Sequence, residues 1–112
     1  MFRLLAYVAV FLISTAVSNT IHAEEPFWID VRSAEEYSTE HVSQAVNIPY
    51  TEITSRINEV TDKKDAPIYV YCRSGRRSGI AKESLEAEGY TNVTNLGGLQ
   101  DAQAVAGASA DK

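Results

Sequence analysis

The feature that most constrains this chain is the passage from residue 68 to residue 79, I-Y-V-Y-C-R-S-G-R-R-S-G. Ile68, Tyr69, Val70 and Tyr71 form an apolar, aromatic run with no breaker inside, which reads as a buried strand. Cys72 follows at once. Ile80, Ala81, Ser84, Leu85 and Glu88 then recur at helical spacing, and Gly89 stands where a helix-terminating glycine belongs. A strand that passes through a tight, glycine-containing turn into a helix is half of a strand–helix–strand crossover. Such a unit requires a parallel sheet with helices packed on it.

The rest of the chain fits that frame. Residues 27–31 (FWIDV) form a second short strand, and Ser33-Ala34-Glu35-Glu36 has the Ser-x-x-Glu pattern of a helix start reaching about Glu40. Residues 45–48 (AVNI) before Pro49 predict another brief strand. Thr51 is placed to cap a helix in which Ile53, Ile57 and Val60 share one face. Residues 90–96 supply a strand around Val93, Gly97-Gly98 a tight turn, and residues 99–106 a closing helix. Residues 107–112 (GASADK) are expected to be a flexible tail. The expectation is a single α/β domain over residues 24–106: a small, mainly parallel sheet with helices on both faces.

The first 23 residues are set apart. Arg3 precedes an apolar run, LLAYVAVFLI, and then a polar, small-residue stretch ending His22-Ala23. This is the order of a secretory signal peptide, with cleavage expected after Ala23 rather than after Ser18. The run is shorter than the ~20 residues of a spanning helix. An exported, periplasmic protein with no membrane attachment after cleavage is the expectation.

Composition closes off other classes. Ten Lys and Arg stand against fifteen Asp and Glu, a net charge of −5, which excludes nucleic-acid binding through bulk charge. One cysteine allows no internal disulfide, and one Cys with two His is too poor for a zinc site, so no metal or cofactor is expected. Monomer is the default expectation.

In a parallel sheet, ligands sit beyond the carboxyl ends of the strands, which is where Cys72 falls. Taken alone, a cysteine after an apolar strand is more often a small buried hydrophobe. Its neighbours change that balance. Gly75 and Gly79 permit a sharp turn whose N–H groups point inward as an anion nest, the following helix adds the positive end of its dipole, and Arg73, Arg76 and Arg77 bring fixed charge. The same surroundings favour thiolate. Lowering a thiol from ~8.5 by two units requires about 2.7 kcal/mol of preference for the charged form, within reach of a helix terminus and a few N–H bonds. At physiological salt the screening length is ~8 Å, so these local arginines outweigh distant carboxylates.

These residues resemble the rhodanese (thiosulfate sulfurtransferase) family, and most of all its small single-domain periplasmic kind. Asp30-Val31-Arg32 with Glu36-Tyr37 is similar to the family's early D-V-R-x-x-x-E-[FY] motif. His41-Val42 with Ala45-Val46-Asn47-Ile48-Pro49, the loop around Cys72, and Gly89-Tyr90 with Leu96-Gly97-Gly98 resemble the later motifs, in order. Glu40 and Gln44 depart from the pattern where many members carry glycine, and Ala102 lies where larger members often place Trp.

The resemblance implies a ping-pong sulfur transfer. The Cys72 thiolate takes the outer sulfur of thiosulfate as a persulfide and hands it to cyanide, a thiol or a thioredoxin-like protein. Arg73, Ser74, Gly75, Arg76 and Arg77 would bind the donor, Arg77 foremost. Asp30 and Arg32 would form a structural pair near the site, Glu36 a helix cap, and His41 a structural hydrogen bond. Two alternatives stay open. One is a catalytically silent binding module of the same fold. The other is a cysteine phosphatase or arsenate reductase, whose Cys-x5-Arg loop would need arginine where Ser78 stands.

Overall fold

A computed structural model describes residues 24–110. The expected signal segment, residues 1–23, lies outside the described residues. Four strands, β1 (Phe27–Asp30), β2 (Val46–Asn47), β3 (Ile68–Tyr71) and β4 (Val93–Asn95), form one sheet in the order β2-β1-β3-β4. Every pairing is parallel. Three α-helices intervene, α1 (Ala34–Thr39), α2 (Ile53–Arg56) and α3 (Arg76–Ala87), and a fourth, α4 (Leu99–Ala110), follows β4. The α/β expectation with a parallel sheet is borne out.

The side-chain alternation of β3 divides the core. Ile68, Val70 and Cys72 face one way, packing with Ile53 of α2, Ile57 just after it, and Ala81 and Leu85 of α3. Tyr69 and Tyr71 face the other, toward Trp28, Ala102 and the apolar side of α4. Trp28 meets Tyr69 edge-on, with ring centroids 5.0 Å apart. Because alternate residues of a strand point to opposite faces, an unbroken apolar β3 requires cover on both, and the helices supply it. Ala102 is fully buried, so the small residue at this point lets α4 lie close to the sheet.

Local signals set the helix ends. Ser33 and Glu36 make a complete capping box: the Glu36 N–H donates to Ser33 Oγ (3.2 Å) and the Ser33 N–H to Glu36 Oε1 (3.0 Å). At the end of α3, Gly89 takes φ 100°, its N–H donating to the Glu86 carbonyl and that of Tyr90 to the Leu85 carbonyl. This is the glycine-terminated Schellman geometry. His41 stacks on Tyr37 with centroids 3.7 Å apart, and its Nδ1 donates to the Tyr37 carbonyl at 2.7 Å.

Two expectations need correction. Thr51 caps no helix. It lies inside a 3-10 turn (Tyr50–Glu52), and the segment expected as one helix is that turn, the single α turn of α2, and a further 3-10 turn (Ile57–Glu59). The apolar face of Ile53 and Ile57 is buried as the periodicity requires, but tighter turns achieve it. The closing helix also continues past Ala106 to Ala110, so the start of the expected flexible tail is helical. Alanine is the strongest helix former, and Ala108 and Ala110 extend the helix although Gly107 and Ala108 are exposed.

Candidate active site

The strand order makes β1 a switch point: the chain leaves it toward β2 on one side, and β3 flanks it on the other. Crevices at such points are where open α/β sheets bind ligands. The carboxyl ends of β1 and β3 lie side by side, with Asp30 opposite Tyr71, so Arg32 and Cys72 emerge from neighbouring strands.

Cys72 is held at the floor of its loop, with 1% of its surface exposed. Its N–H donates to the Gly97 carbonyl (3.0 Å), extending the β3–β4 pairing by one step. The chain then turns through Gly75 at φ 101°, a left-handed conformation that suits glycine, and enters α3. A Cβ at Gly75 would also sit 3.4 Å from Gly97 Cα. The first N–H groups of a helix lack intrahelical acceptors, and Gly75 has no side chain to cap them. The sulfur takes that place. Cys72 Sγ accepts from the Gly75 N–H at 3.0 Å and the Ser78 N–H at 3.4 Å, and Ser78 Oγ lies 3.3 Å away.

Burial alone pushes the Cys72 thiol up. The hydroxyl and N–H of Ser78, with the N–H groups of Ser74 and Gly75, outweigh it and leave the thiol below its ordinary value.

The loop is buttressed from β4 and α4. Asn95 Oδ1 accepts from the Ser78 hydroxyl (2.7 Å) and the Gly97 N–H (2.9 Å), while Asn95 Nδ2 donates to the Gly75 carbonyl (3.0 Å). Gly98 packs against the loop so closely that a Cβ would fall 2.5 Å from the Arg73 carbonyl oxygen. Its N–H donates to Asp101 Oδ2 at 3.0 Å.

The three arginines are unlike one another. Arg77 makes a two-pronged pair with Glu36, Nη1 to Oε1 at 2.9 Å and Nη2 to Oε2 at 3.0 Å. That guanidinium draws the Glu36 carboxyl down to about 2. Arg73 is 79% exposed in its side chain, with Nη1 3.7 Å from Glu36 Oε2. Arg76 and Ser74 are exposed. Glu36 is therefore a cap for α1 and also the anchor for α3 across the site.

Asp30 and Arg32 form a buried pair. Arg32 Nη2 lies 2.7 Å from Asp30 Oδ2, Arg32 Nε donates to both carboxylate oxygens, and Nη2 also donates to the Glu40 carbonyl at 2.6 Å. A cleft of about 500 Å³ opens beside the loop, lined by residues that include Arg32, Glu36, Glu40, Arg73, Leu99 and Asp101. It adjoins the Cys72 loop at Arg73 and Gly98 without including the sulfur. Among the described residues no group of three or more His, Cys, Asp or Glu gathers as a metal site would require.

The structure thus gathers Cys72, Ser74 and Gly75 around one sulfur, gives Arg77 to Glu36, and leaves Arg73 and Arg76 in solvent. Sequence reasoning missed Ser78 and Asn95 as parts of the site. Ser78 had a signal, since the third residue of a helix offers an N–H to whatever caps it. Asn95 had only its position beside Leu96-Gly97-Gly98.

Comparisons with known proteins agree with this geometry. The Rhodanese-like domain family matches residues 14–104. The thiosulfate sulfurtransferase PspE of Escherichia coli is 51% identical over 74 residues, covering 66% of this chain and 71% of that protein. The putative sulfur carrier protein YrkF of Bacillus subtilis is 38% identical, with 61% of this chain aligned to only 36% of that longer protein. A solved rhodanese from E. coli, described with anions, superposes with a TM-score of 0.66 at 49% identity, covering 69% of this chain and 91% of that one. The chain belongs to the rhodanese-like domain family and is a sulfurtransferase of that family.

Proposed function

We propose that this chain uses thiosulfate as its sulfur donor and carries the sulfur as a persulfide on Cys72. The observation that carries this is the ring of donors on Cys72 Sγ, from Gly75, Ser78 and Ser74, at the amino end of α3. Such a ring stabilises the Cys72 thiolate that attacks in the first step and departs in the second. In the first step the Cys72 thiolate attacks the outer sulfur of thiosulfate. A new sulfur–sulfur bond forms, the bond to the sulfonate sulfur breaks, and its electron pair leaves with sulfite. In the second step a nucleophile attacks the outer sulfur of the persulfide, and Cys72 departs as thiolate. Cyanide serves as acceptor in an assay, and a thiol or thioredoxin-like protein does so in the cell.

Arg73, Ser74, Gly75, Arg76 and Arg77 make the donor site, with their parts divided. Arg73 is the exposed charge beside the cleft and is suited to meet sulfonate oxygens. Arg77, foremost on sequence grounds, has its fork occupied by Glu36 and contributes position and field. Ser78 hydrogen-bonds the sulfur where a Cys-x5-Arg phosphatase loop would place arginine. Residues 1–23 direct export to the periplasm, so protein recovered there begins at Glu24 on amino-terminal sequencing; a retained leader would refute export with cleavage. Among the described residues no helix is long and apolar enough to cross a membrane.

The deciding experiment is intact mass after exposure to thiosulfate alone. The protein gains one sulfur atom, at Cys72, and Cys72→Ser gains none. A protein that never acquires the adduct would be a silent module, and hydrolysis of an aryl phosphate would point to phosphatase chemistry instead.

A further inference from the structure

Ser78 Oγ sits between two acceptors and owns one proton. It is 2.7 Å from Asn95 Oδ1 and 3.3 Å from Cys72 Sγ. The amide of Asn95 cannot be turned round without loss. Its Oδ1 also accepts from the Gly97 N–H, and its Nδ2 donates to the Gly75 carbonyl, so the oxygen must face Ser78. An amide oxygen only accepts. The short contact therefore places the Ser78 proton on the Asn95 side and leaves a lone pair toward sulfur, which suits a protonated thiol. Turning the hydroxyl toward Sγ suits a thiolate, and Asn95 Oδ1 then keeps only the Gly97 N–H.

We propose that Asn95 is a positioning residue that competes with Cys72 for the Ser78 hydroxyl proton. The hydroxyl thereby becomes a two-position switch, donating to Asn95 while the sulfur is neutral and to Cys72 when it is ionised. The part of this switch in turnover rests on the persulfide mechanism above. When Cys72 takes up the outer sulfur, the negative charge moves to that outer atom and Sγ becomes neutral, so the Ser78 proton returns to Asn95. When the acceptor removes the outer sulfur, Sγ is again an anion and the proton swings back. Asn95 thus keeps the nucleophile more basic than the ring of donors alone would make it, and a more basic thiolate is intrinsically the stronger nucleophile.

The other charged groups around the sulfur are Arg73 in its loop, the exposed Arg76 at the start of α3, Arg77 on α3 with Glu36 of α1 upon it, the Asp30–Arg32 pair at the end of β1, and Asp101 on Gly98. A neutral substitution at position 95 alters none of these charges.

The test is the pH dependence of Cys72 alkylation by iodoacetamide, which needs no sulfur donor. Ser78→Ala moves the midpoint up by about one unit, the scale of one hydrogen bond to a charged group. Asn95→Ala moves it down by about half a unit to one unit, because Ser78 then has only the sulfur to serve. Asn95→Leu, which keeps the bulk, does the same. In the Ser78→Ala background neither substitution at 95 shifts the midpoint. An upward shift or no shift in Asn95→Ala and Asn95→Leu, as a merely loosened loop would give, overturns the proposal. So does a downward shift that survives without the Ser78 hydroxyl. Formation of the sulfur adduct, measured separately by mass, reports on the persulfide mechanism whichever way the titration falls.

Discussion

At Gly98 the absence of one carbon atom matters more than any charge. Its Cα lies against the Arg73 backbone, and a methyl group there would stand 2.5 Å from a carbonyl oxygen that has no flexible end to give way. Gly98→Ala must therefore push the loop off β4, straining the Cys72 N–H bond to Gly97 and the donors around Sγ. Overpacking of this kind costs about 1–3 kcal/mol. We expect that loss in urea unfolding, together with at least a tenfold fall in sulfur transfer, since misplaced donors cannot hold the sulfur anion. Asp30→Ala is harsher: it leaves the Arg32 guanidinium buried without its carboxylate, a change worth about 3–5 kcal/mol, again read from urea unfolding. At this scale Cys72 was legible because strand, thiol and glycine turn are contiguous in sequence. The Arg77–Glu36 pair joins residues 41 apart, and the Ser78–Asn95 bond residues 17 apart. No local pattern signals contacts that only the folded sheet brings together.

Among the elements, those governed by short-range rules were the ones sequence foresaw. The strand β3, the Ser33–Glu36 box and the Gly89 terminus each depend on groups within a few residues of one another. The segment from Tyr50 to Glu59 was not foreseen as broken turns. Its apolar spacing fits a helix, and only the tertiary seat of Ile53 and Ile57 against α3 decides how tightly it winds. Helix α1 tests the capping chemistry directly. It is six residues long and fully buries none of them, so its hold on the molecule rests on its ends, on Glu36 and on Tyr37, whose hydroxyl donates to the Ala45 carbonyl at 2.6 Å. Ser33→Ala should cost about 1 kcal/mol in urea unfolding, as N-cap losses do. Glu36→Gln should weaken stability as well, and should also lower the pH midpoint of Cys72 alkylation, because Arg77 near the sulfur is then no longer neutralised.

The whole molecule feels Glu36 through acid. Its carboxyl sits at about 2 in the fold against an ordinary value of 4.5, drawn down first by Arg77. The unfolded chain therefore binds the proton more readily, so this group's stabilisation is full above about pH 4.5 and drains away as pH falls toward 2. A series of urea titrations across that window should show the decline, shallower in Glu36→Gln. That the sheet would be parallel followed from alternating strands and helices. The strand order β2-β1-β3-β4 did not, because two-residue β2 carries too few side chains to announce its neighbour. That order sets the ends of β1 and β3 side by side, and it also decides how deep the sulfur lies. A bridge between cysteines needs their Cα atoms within about 7 Å. Two copies of this protein cannot come so near through a sulfur that is 1% exposed beneath its own helix terminus. The chain's one thiol is thus barred from linking one molecule to the next, and air oxidation of the folded protein should leave it free of covalent dimers.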